Sequence, residues 1–164
     1  MPPPLTYLEF LALFVVPPSL VLTALALLRP TRPGRWGGVG LMVGVALVYT
    51  SPWDSYLVQR GVWYYGEGAV SHTVWHVPLG EYLFMTLQAG TVALWLYVVL
   101  DRAGEGPPFR PTDVPGTDRL VGALAGAGVG IGGLVLTTRS PTFYLGAVLA
   151  WAAPVLALQW AFSW

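Results

Sequence analysis

The sequence predicts an all-α, polytopic transmembrane helical bundle with about five spans. Apolar residues make up 55% of the 164 residues and charged residues only 10%, whereas a soluble domain carries about 25% charge. Five stretches approach the roughly 20 apolar residues that a hydrocarbon core about 30 Å thick requires. Because backbone polar groups in lipid must be paired within their own segment, each stretch is predicted to form a helix.

The five predicted spans differ in length and polar content. They cover residues 5–28, 36–50 or 36–53, 77–100, 120–138 and 143–164. The first contains Glu9 and the pair Pro17-Pro18, and the third contains Glu81 near its start. The second is short, and the fifth carries no charge.

The arginines predict the orientation in the membrane. Arg60 and Arg139 lie on one predicted side of the membrane. The other six arginines lie on the opposite side, in or beside the loops after the first and third spans: Arg29, Arg32, Arg35, Arg102, Arg110 and Arg119. Because cytoplasmic loops are enriched in Arg and Lys, we expect a multi-pass cell-membrane protein with its N-terminus outside and its C-terminus in the cytoplasm. The first span contains an acid and lacks a basic n-region, so it does not resemble a signal peptide.

Composition excludes several function classes. The chain has no Lys and no Cys, and its formal net charge is zero. Schiff-base chemistry, thiolate metal sites and cysteine nucleophiles are therefore excluded, and nucleic-acid binding is not expected. A G-x-G-x-x-G pattern at 128–133 lies inside an apolar span, so a dinucleotide site is not expected. Gly122, Gly126 and Gly130 instead predict a small-residue helix-packing face.

An internal repeat predicts the domain organisation. Tyr7-Leu8 and Tyr144-Leu145 are each followed by a proline ten residues after the tyrosine, which is typical of parallel repeats in membrane proteins. We therefore predict a first three-helix repeat at 1–100, a cytoplasmic Gly/Pro-rich loop and a linker span at 101–141, and the first helix of an incomplete second repeat at 142–164. On this interpretation the chain is a fragment, or a separate polypeptide completes it.

Three acids are the first candidates for chemistry. By the predicted topology, Glu9, Asp54 and Glu81 lie at one membrane face. Acids within spans are costly and mark functional sites, and burial favours the neutral, proton-donating form of a carboxyl group. The alternative is that Asp54, at the end of the second span, and Glu81, in the first turn of the third, only cap their helices.

Other residues could line a pocket beside these acids. The third span places Glu81, Phe84, Gln88 and Trp95 on one face, where Gln88 either bonds another helix or lines a pocket. The segment 51–76 is dense in aromatic residues: Trp53, Tyr56, Trp63, Tyr64, Tyr65 and Trp75. Such residues suit the membrane interface. His72 and His76 have i,i+4 spacing, but no third ligand is clear beyond Glu67 or Glu81, so no metal site is expected.

Several motifs together resemble one family. The chain is similar to integral-membrane lycopene cyclases in four segments: Pro52-Trp53-Asp54 with Ser55-Tyr56-Leu57-Val58, 61–65, 77–84 and 149–160. Such proteins occur in archaea, in fungal bifunctional carotenoid enzymes and as paired actinobacterial subunits. The resemblance covers nearly the whole chain. The family's Pro-x-Glu-Glu reads Pro78-Leu79-Gly80-Glu81 here, so glycine replaces its first acid.

The resemblance implies acid-catalysed cyclisation of lycopene end groups to ionone rings, giving gamma- and beta-carotene. It implies no cofactor, a lipid-soluble carotenoid substrate, and a chain acting alone, as a homo-oligomer or with a second cyclase subunit. Glu81 is then the expected acid, with Asp54 as partner or base and Glu9 as a third candidate. The expected lining of the substrate pocket is Trp53, Tyr56, Trp63, Tyr64, Tyr65, Phe84 and Gln88.

Two other functions remain open at this point. One is a non-catalytic membrane subunit or fragment of a cyclase, which lost activity with the acid at position 80. On that reading, Gly80→Glu is expected to restore cyclisation. The other is a small transporter or scaffold bundle, because intramembrane acids also serve ion paths. A transporter is expected to place its acids near the bilayer midplane, whereas these lie at one face.

Overall fold

The computed structural model describes residues 5–28, 34–66, 68–70, 72–102 and 115–162. The chain forms two compact units, Met1–Gly106 and Pro107–Trp164. The all-α prediction is confirmed, and the helices fall into five rods. Four of the rods are long and apolar enough to cross a membrane: Tyr7–Leu28, Leu79–Arg102, Gly116–Leu136 and Ser140–Phe162.

The first rod consists of α1 (Tyr7–Phe10), a π-helix (Leu11–Val15) and α2 (Val16–Leu28). Proline has no backbone N–H, so Pro17 and Pro18 cannot continue the regular helical hydrogen-bond pattern. The widened π-helical turn lies immediately before them, and the Ser19 Oγ donates to the Val15 carbonyl over 2.7 Å. The rod thus stays continuous through two prolines.

The second rod, α3 (Arg35–Gln59), is longer than predicted. It runs through Pro52, so Asp54 lies inside the helix and does not close it. A proline can stay within such a helix when neighbouring groups satisfy the freed carbonyl. Although α3 has 25 residues, it is not among the rods apolar enough to be candidate spans.

A short hairpin that the sequence analysis missed precedes the third rod. Strands β1 (Thr73–Val74) and β2 (Val77–Pro78) pair antiparallel and lead into α4 (Leu79–Arg102). Trp75 and His76 form the turn with φ of +49° and +69°. Two-residue hairpin turns with positive φ favour Asn-Gly or Asp-Gly, so Trp-His gives no hairpin signal.

Helix α4 packs against both α2 and α3 in the first unit. A buried apolar cluster joins α2 to α4: Leu22, Ala26, Leu94 and Val98. Because the rods alternate in direction, the start of α1, the last turns of α3 and the start of α4 meet at one end. At the other end, the buried Arg35 side chain bonds the Asp101 carboxylate over 2.7 Å and the Ala26 carbonyl over 3.0 Å.

The second unit contains α5 (Gly116–Leu136), a 3₁₀ turn (Ser140–Thr142) and α6 (Phe143–Phe162). The predicted small-residue packing face is confirmed. A Cβ added at Gly126 would lie 2.9 Å from the Ala157 Cβ, and one at Gly130 would lie 3.2 Å from the Ala153 Cβ. The glycines of α5 therefore allow α6 to approach closely.

Several predictions concern residues outside those that the structure describes. They include most of the predicted loop after the third span, together with Arg29, Arg32, Arg110 and Glu67. The membrane orientation and the division at residues 100 and 141 stay predictions.

Candidate active site

The Glu81 carboxyl group lies at the centre of the candidate site. It belongs to the first turn of α4, immediately after the hairpin. The Tyr7 hydroxyl donates to Glu81 Oε2 over 2.8 Å, and the Tyr65 hydroxyl donates to Oε1 over 3.4 Å. Each carboxyl oxygen therefore faces a phenol from a different part of the chain.

Tyr7 reaches Glu81 because the start of α1 is tied to the loop after α3. The Tyr7 backbone N–H donates to the Ala69 carbonyl over 3.2 Å. The Tyr7 ring then lies directly on Gly80, which is buried. A Cβ at position 80 would lie 2.8 Å from Cε1 of Tyr7 and closer still to Cδ1. The structure therefore leaves no space for the acid that we expected to restore activity at this position.

Asp54 is brought close to Glu81 from the last turns of α3. Its side chain is buried, and its charge interacts with that of Glu81. Burial raises the pKa of the Tyr65 phenol above its usual value, and the nearby Glu81 and Asp54 carboxylates raise it further. Asp54, Tyr65 and Glu81 thus form one electrostatic group, together with Tyr7.

Glu9, the third predicted acid, is engaged elsewhere in the structure. It is exposed, and its Oε2 accepts hydrogen bonds from the Thr6 backbone N–H at 2.8 Å and the Thr6 hydroxyl at 2.9 Å. The Thr6 hydroxyl in turn accepts from the Glu9 backbone N–H. This reciprocal arrangement is a capping box, which stabilises the start of a helix. Glu9 therefore supports the segment that carries Tyr7.

The predicted aromatic residues fall into different environments. Tyr65 contacts Glu81, whereas Tyr64 is 89% exposed. Trp53 and Tyr56 pack with ring centroids 6.4 Å apart, and the Arg60 guanidinium lies over the Tyr56 ring. Of the remaining predicted lining residues, Trp63 and Phe84 are half-buried and Gln88 is exposed.

The two histidines face different surroundings. His72 lines a cavity beside Tyr7, while Gln59 Nε2 lies 3.1 Å from Nδ1 of His76. Within the part of the chain that the structure describes, no three His, Cys, Asp or Glu side chains are grouped to hold a metal ion. Glu67, considered above as a third ligand, is outside that part.

A cavity of about 340 Å³ adjoins the site. Tyr7 and Gly80 form part of its wall, and the other lining residues are Thr6, Leu8, Gly68, Ala69, Val70, His72, Pro78 and Leu79. Most of these side chains are apolar or small. Tyr7 was not among the predicted site residues, because its partner Glu81 is 74 residues away along the chain and no local pattern joins them.

Comparisons with known proteins identify relatives over most of the chain. It is 48% identical over 163 residues to a protein named lycopene beta-cyclase from two strains of Halobacterium salinarum, covering 97% of this chain and 65% of that protein. It is 32% identical over 130 residues to the bifunctional lycopene cyclase/phytoene synthase of Aspergillus oryzae, covering 78% of this chain and 22% of that protein. The Gibberella fujikuroi protein of the same name is 34% identical over 128 residues, covering 75% of this chain and 21% of its own length.

The chain thus spans about two thirds of the length of the archaeal relatives and about a fifth of the fungal ones. No family model matches the chain. No solved structure matches it either.

Proposed function

Because the chain belongs to the integral-membrane lycopene cyclase family, we propose that it closes the linear ends of lycopene into ionone rings by acid catalysis. The names of the archaeal and fungal relatives support this proposal. The carboxyl cluster, by which we mean Glu81 and Asp54 at one end of the first unit, supports it as well.

The chemistry requires a proton but no change of oxidation state. A proton adds to the terminal carbon–carbon double bond of the linear end and leaves a tertiary carbocation. The next suitably placed double bond attacks this cation and forms the carbon–carbon bond of the ring. The new cation then loses a proton, so the product is an isomer of the substrate. Closing one end of lycopene gives gamma-carotene, and closing both gives beta-carotene.

We assign the proton transfers to the two neighbouring carboxyl groups. Glu81 donates the proton, and Asp54 is the partner that accepts the proton lost after ring closure. The observation that carries this assignment is the Glu81 carboxyl, held by Tyr7 and Tyr65 within electrostatic range of the buried Asp54.

The surroundings of the pair suit an apolar, transiently cationic substrate. The cavity beside Tyr7 and Gly80 offers mainly apolar walls next to the acid, so we place the reacting end group there. Aromatic faces attract cations. Tyr65 is the member of the predicted substrate-binding set that contacts the acid. None of the predicted set lines this cavity, so we propose that its members contact the substrate outside it: Trp53, Tyr56, Trp63, Tyr64, Tyr65, Phe84 and Gln88.

The substrate dissolves only in lipid, which fits a membrane-embedded, multi-pass chain. We propose that the membrane is the cell membrane, with the N-terminus outside. On this orientation the carboxyl cluster lies near the outer face. We also propose that the chain acts alone, with a second cyclase subunit or with a second copy of itself.

Pigment analysis tests the proposal. The chain is expressed in cells that accumulate lycopene, and the carotenoids are separated by chromatography with absorbance spectra. We expect monocyclic or bicyclic product, at least about 100-fold less of it with Glu81→Gln, and a loss with Asp54→Asn. Asp118→Asn, the same change in the first turn of α5, is the matched control. Unchanged lycopene, with the protein verified in the membrane, would contradict a stand-alone enzyme and favour a non-catalytic subunit.

A further inference from the structure

We infer that Tyr7 is a positioning residue for the Glu81 carboxyl, and that residue 80 is glycine because the Tyr7 ring occupies the space of a side chain there. The role of Glu81 as the acid rests on the proposed function. The contact of Tyr7 with Gly80 and Glu81 does not rest on that function, so the contact and the function can be tested separately.

The Tyr7 bond is the stronger of the two that hold Glu81. At 2.8 Å, the distance from the Tyr7 hydroxyl to Oε2 is typical of an O–H···O hydrogen bond. The distance from the Tyr65 hydroxyl to Oε1 is 3.4 Å, beyond the usual range. Because Tyr7 fixes one oxygen, it also fixes the direction in which the other oxygen points.

Tyr7 is itself held on three sides. Its backbone N–H bonds the Ala69 carbonyl, and it lies within the capping box that Thr6 and Glu9 form. The Cδ1–Cε1 edge of its ring rests on Gly80. A side chain fixed in this way can orient a reacting group before substrate binds, which is the condition for efficient catalysis by position.

The glycine at position 80 is necessary for this arrangement. An added Cβ would overlap the body of the Tyr7 ring, not the flexible end of a side chain, so the ring would have to leave. Gly90 on the same helix provides the contrast. A Cβ there would meet only the Val43 Cγ2 at 3.9 Å, which is ordinary contact.

Infrared spectroscopy of the carboxyl group tests the inference without any need for cyclase activity. The purified full chain is labelled with ¹³C in its glutamate carboxyl groups, of which there are four, Glu9, Glu67, Glu81 and Glu105. Subtracting the spectrum of Glu81→Gln isolates the Glu81 band, whose frequency depends on its hydrogen bonds. The band is compared in Tyr7→Phe and in Tyr82→Phe, which loses a phenol bond of 3.0 Å to the Val74 carbonyl instead.

We expect Tyr7→Phe and Gly80→Ala to shift the Glu81 band in the same direction, and Tyr82→Phe and Gly90→Ala to leave it in place. An unshifted band in Tyr7→Phe overturns the inference. A shift in Tyr7→Phe without one in Gly80→Ala overturns its steric part. Gly80→Ala also keeps the test decisive if Tyr7→Phe fails to fold.

In lycopene-accumulating cells, Tyr7→Phe is expected to lower cyclised product about tenfold, the loss expected from removing one buried hydrogen bond. Tyr82→Phe is expected to change the product less than about twofold. Cyclisation unaffected by Tyr7→Phe, with the band shifted, overturns the positioning role. If the unsubstituted chain forms no ring while the band shifts as expected, the proposed function fails and the positioning contact stands.

Discussion

Removing the negative partner of Arg35 is expected to destabilise the first unit strongly. The Arg35 side chain is only 1% exposed, and its guanidinium bonds both the Asp101 carboxylate and the Ala26 carbonyl. It also lies over the Tyr97 ring at 5.7 Å. This single residue at the start of α3 therefore joins the last turns of α2 and α4. Asp101→Asn keeps the shape of the partner but removes the negative charge that lies 2.7 Å from the buried guanidinium.

The magnitude follows from the burial of the pair. Breaking a buried ion pair by removing one partner costs about 3–5 kcal/mol, because the other charge stays desolvated. The Asp101 side chain is 18% exposed, so water partly reaches the pair and we expect a value near 3 kcal/mol. Replacing both members by apolar residues of similar size, as in Arg35→Met with Asp101→Leu, removes the uncompensated charge and is expected to cost much less.

A double-mutant cycle measures this coupling. The free energy of unfolding is determined by denaturant titration in mixed micelles for five proteins: the unsubstituted chain, Asp101→Asn, Asp101→Leu, Arg35→Met and the double variant Arg35→Met with Asp101→Leu. We expect the double variant to be more stable than Asp101→Leu alone. Additive costs, or a change below about 1 kcal/mol for Asp101→Asn, would show that the pair behaves as an exposed salt bridge and would refute the reasoning.

Three other predictions follow from separate parts of the chain. Gly133→Ala places a Cβ 2.6 Å from the Ala150 backbone nitrogen, so the second unit should lose about 1–3 kcal/mol in the same titration. Gly132→Ala, which meets nothing within 4 Å, should be neutral or slightly stabilising. Thr6→Ala should cost about 1 kcal/mol, and adding Glu9→Ala should cost little more because both belong to one capping box. Proteoliposomes with a pH gradient should leak protons equally with the unsubstituted chain and Glu81→Gln, and a Glu81-dependent leak would support a transporter instead.

The helical architecture was predictable because its signals are local. Length and apolar content of a segment predict a span, and the four-residue spacing of glycines predicted the face of α5 that packs on α6. Helix ends were less predictable, because proline ends a helix in water but can be accommodated inside an apolar bundle. Pro52 accordingly lies within α3, and the helix continues to Gln59, which is nine residues beyond the shorter predicted end at Thr50.

The candidate site was predictable only in part. Glu81 and Asp54 could be selected because acids are costly in an apolar chain, and the predicted topology placed them at one end. Of their phenol partners, Tyr65 belongs to the predicted pocket lining, whereas Tyr7 does not. The bond between Tyr7 and Glu81 depends on how α1 and α4 pack, and the space at Gly80 exists only in the folded chain. A glycine that looks like a lost acid in a sequence motif is, in the structure, the residue on which Tyr7 rests.

The position of the carboxyl cluster favours chemistry on the end of a long molecule. In the first unit, Glu81 and Asp54 meet near the ends of their helices, and toward the opposite end Leu22 and Leu94 contribute to a buried apolar cluster. An ion path requires polar groups along the length of a bundle. A polyene that reacts only at its terminus requires them at one end, beside apolar surface for the rest of the chain. In the first unit the Glu81 and Asp54 carboxyl groups lie at one end, and the Arg35–Asp101 ion pair at the other end is already closed on itself. We favour cyclisation over transport because the two acids assigned to chemistry lie together at one end, beside apolar surface.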